Sequence, residues 1–405
     1  MKKRILVRGP VLSQSGYGEQ ARFALRALRT QEEELDIHIQ PIRWGHTGWI
    51  WEDTEERRWI DEMITKTAHY TREGGEFDMS LQITIPNEWQ MLAPINIGYT
   101  AGIETTKVAP IWLAKGNQMD KIIVVSNHSK DAYKDTVATL PNHPDGRMQL
   151  STPIEAINYA IRPSVGSEEI PGFNPDYDFN FLCVSQWGSR KNFENTIKWW
   201  VEEFHDQKVG LILKTSLANN STIDKSKSEE MLKLMLDKYS NRKCKVYLLH
   251  GDLSDAQMRW LYQNDKVKCL VNIAHGEGYG LPMFEAAQNA LPVLTIGWSG
   301  QLDFLSHKGK NYFVKVDHKL APIQKEAIWK DVLVEGSEWA YADQGHFKMQ
   351  LRKARKGWKK FKKQAVELQK ILNENYTEER IYKQFTDSIL STELTMVAQN
   401  EQLFG

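Results

Sequence analysis

The chain has 405 residues, with 52 Lys and Arg against 52 Asp and Glu, 14 Trp and 3 Cys. That length is comfortable for two domains, and zero formal net charge excludes a whole-molecule field that would gather nucleic acid or an anionic membrane. Cys183, Cys244 and Cys269 are far apart and show no zinc-site spacing; Cys183 and Cys269 fall in predicted strands as small buried apolar residues, so a cytoplasmic setting is expected.

The basic start Met1-Lys2-Lys3-Arg4 leads into an apolar run that stops at Val7, too short for a signal peptide. No stretch has membrane-spanning length. Ile5-Leu6-Val7 reads as a first strand, followed by a loop through Gly16-Tyr17-Gly18 and a helix with Ala21, Ala24, Leu25 and Leu28 at helical spacing. Further strands are expected at 37–39, 79–83, 95–99, 121–125 and 156–161. Residues 166–178, rich in Pro, Gly and acids, read as a linker between a domain at 1–165 and a second at 179–375. The second run has strands at 179–184, 209–214, 245–249, 269–273 and 293–296, with a polar loop at 219–230 entering a helix at 231–239. After Asp317 the pattern reads as helical, with an apolar stripe Ala354, Trp358, Phe361, Ala365, Leu368 and Leu372; 376–405 forms a closing helical segment. Alternating strands and helices predict an α/β protein of two Rossmann-like, doubly wound parallel sheets.

The most informative stretch is His275-Gly276-Glu277-Gly278-Tyr279-Gly280-Leu281-Pro282-Met283-Phe284-Glu285. It follows a buried strand and enters a helix. Strand, glycine turn and helix present backbone N–H groups to a phosphate. Glu277 on the turn can accept hydrogen bonds from sugar hydroxyls, and Glu285, eight positions on, can reach a ribose diol. On the first domain, Gly16 and Gly18 precede a helix N-terminus that can face a diphosphate or a sugar, or form a plain turn.

This pattern resembles the Glu-x7-Glu motif of retaining glycosyltransferases with the GT-B fold, family 4 in particular, which implies two Rossmann-like domains facing across a cleft that holds the ligand. The helix, Pro292-Val293 strand and small-residue loop from Gly297 to Asp303 continue the resemblance. It implies a nucleotide-diphosphate sugar as co-substrate, no other cofactor and no metal, with donor contacts at Gly278, Tyr279, Gly280 and Leu281 beside the two glutamates. Val184 to Asn192 resembles the family's cation segment: Lys191 fits the lysine, while Gln186 stands where an arginine is expected, so Arg190 or Lys214 is left to supply the second charge against the departing diphosphate. His250-Gly251 lies where the family holds the base. Ile97 to Thr106 resembles a subset with a Trp-Glu pair; Ile103 replaces the Trp, and Glu104 and Pro110 remain. Glu104 is then the candidate acceptor-side base, with His128 beside the acceptor or else a surface histidine. Glu277, Glu104 and Lys191 are the expected catalytic set.

The resemblance leaves the acceptor open among glycan, lipid-linked glycan and modified DNA. The basic run 352–363 reads as a solvated helix face, a contact for anionic lipid, or a phosphate-binding patch. Two other functions compete. A dehydrogenase requires Gly-x-Gly-x-x-Gly after the first strand, which the loop lacks. A non-catalytic sugar- or nucleic-acid-binding protein of the same fold is favoured by Gln186.

Overall fold

The structure, a computed structural model, describes residues 2–139, 146–162 and 166–404, with side chains up to 392 in the last span. It separates into two compact units: Met1–Ala160 with Ile328–Ser337 and Tyr376–Gly405, and Ile161–Ala327 with Glu338–Asn375.

Unit 1 runs β1 (Lys3–Gly9), α1 (Gly16–Arg29), β2 (Leu35–Pro41), α2 (Glu55–Arg72), β3 (Met79–Ile83), β4 (Ile95–Thr100), α3 (Pro110–Gly116), β5 (Lys121–Val124), α4 (Asn127–Asp135), a short antiparallel pair β6 (Ala138–Thr139) and β7 (Arg147–Met148), and β8 (Ile154–Ala156). Its sheet has the order β2-β1-β3-β4-β5-β8, every pairing parallel. Parallel strands are covered on both faces, so they read as continuous apolar runs. Ile5, Val7, Leu81, Ile83, Ile97 and Ile122 are accordingly buried. Helix α1 starts at the cap Ser15, whose hydroxyl accepts from Gly18 N, and buries Ala21, Ala24, Leu25 and Leu28. Its Phe23 packs edge-on against Tyr159 and against Phe385 of the C-terminal helix Glu378–Phe404, with centroids 5.3 and 5.4 Å apart.

Unit 2 runs β9 (Asn180–Val184), α5 (Phe193–Phe204), β10 (Gly210–Lys214), α6 (Thr222–Leu236), β11 (Lys245–Leu249), α7 (Asp255–Gln263), β12 (Val267–Asn272), α8 (Leu281–Gln288), β13 (Val293–Ile296), α9 (Leu302–Leu305), the pair β14 (Ser306–His307) and β15 (Lys310–Asn311), β16 (Val314–Val316), β17 (His318–Pro322), β18 (Glu338–Ala342), α10 (Gln344–Lys356) and α11 (Trp358–Asn375). The sheet order β11-β10-β9-β12-β13-β16 is again parallel throughout. In chain order this is 3-2-1-4-5-6, the doubly wound order whose strand direction of growth reverses between β9 and β12. At such a switch point the loops leaving the two strands part and open a crevice. The core beneath is built from Phe181, Trp200, Phe204, Leu211, Val271 and Leu294.

The structure corrects four expectations. Residues 219–230 are not all loop: Ser221 caps a helix that starts at Thr222. Its polar first turns bury Asp224 and Ser228, which carry no apolar signal. The stretch after Asp317 is not immediately helical; β17 and β18 pair antiparallel first. The basic run belongs to two helices, because α10 ends at the cap Gly357 and α11 begins at Trp358. The strand expected at 156–161 lies earlier, at Ile154–Ala156. Residues 163–165, just before the expected linker, lie outside the described residues, and the linker 166–178 groups with unit 2.

Candidate functional site

In unit 2 the switch-point loops bring Glu277, Arg190 and Lys191 together. Lys191 and Arg190 occupy the turn after β9, closed by Asn192 in a left-handed conformation at φ 51°, and Glu277 lies on the turn after β12. Lys191 Nζ donates to both Glu277 carboxylate oxygens at 2.6 and 2.7 Å, Arg190 Nη1 reaches Oε2 at 3.4 Å, and Asn272 Nδ2 donates to Oε1 at 3.1 Å. Glu277 is only 6% exposed. Burial by itself raises a carboxyl pKa, but the two cations and the hydrogen bonds from Lys191 and Asn272 overcome it and hold Glu277 below the usual carboxylate range. The site therefore contains a buried anion fixed in place by protein cations.

Two glycine loops lock that anion's backbone. Glu277 N donates to Ser299 Oγ at 3.0 Å, and Gly300 N donates to Glu277 O at 2.9 Å. A Cβ on Gly300 would stand 2.0 Å from Gly278 O, so only glycine fits. Ser299 itself sits at φ 78°, an uncommon conformation for a residue with a side chain, and its hydroxyl donates to Gln301 Oε1 at 2.8 Å. Gly280 caps α8 at φ 95°, with Leu281 opening the helix and Pro282 in its first turn. The helix N-terminus adds partial positive charge beside Gly278 and Gly280. Tyr279 packs on Phe284 and Phe304, which makes its ring part of the core. Glu285 lies on α8, half-buried, and accepts a 2.8 Å hydrogen bond from Tyr262 Oη.

The remaining residues expected on the donor side form a second cluster. Lys214 ends β10 and donates to Gly251 O at 2.6 Å; burial lowers its pKa, with Asp252 opposing. Gly251 has φ 111°. His250 pairs through Nε2 with Asp224 Oδ1 at 2.8 Å. Asp224 also accepts from the backbone of Leu217, Ala218 and Asn219, which keeps its carboxyl well below the ordinary range in spite of burial. Gln186 is exposed, with its amide donating to Leu217 O at 2.6 Å, and does not join the Glu277 cluster. Asn272, Ser299, Asp224 and Tyr262 were not singled out in the sequence. Asn272 ends an apolar strand, which is where a sheet presents ligand-facing groups, so it alone left a readable signal.

Unit 1 gathers Gly16, Gly18, Glu104 and His128 around the ends of β1, β4 and β5. A Cβ on Gly18 would meet Ser13 O at 1.9 Å, whereas Gly16 is open and exposed. Tyr17 Oη pairs with Thr100 Oγ1 at 2.7 Å and accepts from Ala101 N at 3.3 Å. Burial raises its hydroxyl pKa strongly, and the nearby charge of Glu104 adds to the rise. Gly102, at φ 82°, lies so close to Ser129 that a Cβ would fall 1.8 Å from its hydroxyl. His128, on the first turn of α4, hydrogen-bonds the backbone of Ile103 and Thr105; burial pulls its pKa down to about 4, so it is neutral near pH 7.

The basic run divides by environment. Arg352 pairs with Glu203 at 2.5 Å, Arg355 with Gln207, and Lys362 donates to Ala290 O at 2.8 Å. Trp358 donates to Lys268 O at 2.9 Å, under the Lys268 ammonium at 4.5 Å. Lys353, Lys356, Lys359, Lys360 and Lys363 face solvent.

The sequence matches no protein-family model and no curated protein. Solved structures do resemble it. Sucrose-phosphate synthase from Thermosynechococcus elongatus aligns over 100% of this chain and 99% of its own, at 12% identity and TM-score 0.60. A glycosyltransferase from Rickettsia africae ESF-5 aligns over 96% and 98%, at 10% identity and TM-score 0.59. The pneumococcal O-GlcNAc transferase GtfA, solved with UDP and GlcNAc, is 10% identical at TM-score 0.49, and this chain spans 59% of that chain's length. At such identities the likeness is one of fold: two α/β domains, each with a parallel sheet of six strands, as in GT-B glycosyltransferases.

Proposed function

We propose that the protein is a glycosyltransferase that moves a sugar from a nucleotide-diphosphate sugar to an acceptor hydroxyl with retention at the anomeric carbon. The observation that carries this reading is the buried, ionised Glu277, pinned by Lys191, Arg190 and Asn272 at the switch point of unit 2. An anion held this firmly is ready to accept hydrogen bonds from sugar hydroxyls. The adjoining cations and the N-terminus of α8 favour the negative charge that develops on a departing diphosphate. Glu285, oriented by Tyr262, takes the ribose diol. On unit 1, Glu104 receives the acceptor hydroxyl, and neutral His128 fixes the loop that carries it. The bond from C1 to the diphosphate oxygen breaks, the bond from C1 to the acceptor oxygen forms on the same face, and the acceptor proton passes to the leaving diphosphate. The shared fold with a sucrose-phosphate synthase and a glycosyltransferase supports the class.

The test is release of nucleoside diphosphate from a panel of UDP-, GDP- and ADP-sugars with a mixed acceptor pool. One donor should turn over, and Glu277→Ala should lower its rate at least ~100-fold, the scale of losing a preorganised polar contact in a transition state. Silence from every donor contradicts the proposal. It would favour a sugar-binding protein that kept the fold, a reading supported by Gln186, which brings no cation.

A further inference from the structure

The loop between β2 and α2 of unit 1 displays Trp49 and Trp51 at 54% and 71% exposure, the two most exposed tryptophans among the described residues besides Trp329. Large exposed rings are unusual, because burying an indole is strongly favourable. These two are not on a loose segment. Ser13 and Trp49 form an antiparallel bridge, with Gln14 N donating to Gly48 O and Ile50 N to Leu12 O, both at 2.8 Å. Thr47 Oγ1 pairs with Ser13 Oγ at 2.7 Å, and a Cβ on Gly48 would meet Gln14 Oε1 at 2.6 Å. In extended backbone, side chains two apart share a face. The exposure pattern agrees: Trp49 and Trp51 face out, and Ile50 between them is half-buried. Their attachment points are then ~7 Å apart.

From this fixed pair of indoles we infer that unit 1 carries a stacking platform for a neutral oligosaccharide, which makes the acceptor a glycan; as an acceptor site, this rests on the transferase reading above. Sugar rings offer apolar C–H faces to an indole and hydroxyls at their rims. Charge selects against the other ligands that stack or insert on tryptophan. Residues 43–58 hold Glu52, Asp53, Glu55 and Glu56 against Arg43, Arg57 and Arg58. Arg57 is forked onto Asp61 at 3.0 and 3.1 Å, Arg58 lies 3.7 Å from Asp53, and Glu56 and Glu55 pair with Arg26 at 3.0 Å and Arg29 at 3.6 Å. A rim whose charges are largely paired off gives single-stranded nucleic acid and anionic lipid little net attraction, while its carboxylates still accept from sugar hydroxyls. The same loop reaches the candidate acceptor residues within unit 1: Trp44 packs on Tyr17 with ring centroids 4.1 Å apart and planes tilted by 33°, and Tyr17 is hydrogen-bonded to Thr100 at the end of β4, beside the loop of Glu104.

The experiment is calorimetric titration of the full chain with maltotetraose, cellotetraose and chitotetraose, with oligo-dT12 and phosphatidylglycerol vesicles as contrasts. At least one saccharide should bind, Trp51→Ala should weaken it at least tenfold, and Trp51→Phe should restore most of the loss. Trp49→Ala in a second variant reports the other ring. Nucleoside diphosphate binding should stay at the wild-type value in all three, which controls for folding. Saccharide binding without turnover of any donor would keep the platform and sink the transferase. Donor turnover with no saccharide bound would do the reverse. The platform is overturned if none of the saccharides binds, if Trp51→Ala binds as wild type does, if dT12 or vesicles bind in their place, or if light scattering shows a dimer that Trp51→Ala dissociates.

Discussion

The two units solve the same problem with different forces. In unit 2 the candidate site is held by charge: a buried carboxylate with a lysine, an arginine and an amide around it, on two loops interlocked through Gly300. In unit 1 the candidate residues are held by hydroxyls, close glycine approaches and a histidine kept neutral by burial. A fixed charge suits a donor whose leaving group gains charge. A contoured surface whose charge is the single carboxylate of Glu104 suits an acceptor that brings only hydroxyls. The contrast predicts that removing a cation hurts unit 2 in a pH-dependent manner, and that unit 1 responds to proton uptake by histidine.

The largest effect should come from Lys191→Met. It strands much of a buried carboxylate, and should cost about 3 kcal/mol at pH 7, read by denaturant unfolding. The sign with pH follows from the depressed Glu277 carboxyl: its contribution is present above the unfolded carboxylate pKa and lost as pH falls through the folded one. The gap between variant and wild type should therefore narrow as pH falls below the unfolded carboxylate value. A constant gap would mean that Glu277 is not held by charge.

Next is His128→Asn. The native imidazole resists protonation until about 4, against 6.5 for the free side chain. The unfolded chain thus takes up the proton first, and acidification from 6.5 to 4 should remove up to roughly 3 kcal/mol of stability. The variant should lose that slope, and an unchanged slope would remove His128 from the account. The smallest effect belongs to Tyr262→Phe, which deletes the hydrogen bond to Glu285. A loss of about 1 kcal/mol in nucleoside diphosphate affinity, with the unfolding midpoint moved little, is expected. Unchanged affinity would release Glu285 from the ribose role.

The sheets were legible because parallel strands buried on both faces are written as apolar runs. Six-strand order and the β9/β12 switch point were not, since pairing depends on contacts far apart in the chain. Helix α2 buries only Ile60 and Thr67, too little for a periodic signal, and α6 hides its start behind Ser and Asp. The pairing of Glu277 with Lys191 joins residues that the motif and the cation segment had each marked separately. Asp224, Ser299 and Tyr262 stayed hidden because each acts by holding a neighbour, which residue type and spacing do not record. The exposed Trp49 and Trp51 were counted only in composition, where core packing is the default.

The central claim is that Glu277 grips the sugar of the donor rather than its nucleotide. Calorimetry with the turned-over nucleotide sugar and its nucleoside diphosphate, on wild type and Glu277→Gln, tests it directly. The account predicts that the variant keeps its affinity for the nucleoside diphosphate within about threefold and loses the additional affinity contributed by the sugar, on the order of 1–3 kcal/mol for hydrogen bonds to a charged group. Equal losses for both ligands, or no loss for either, would contradict it.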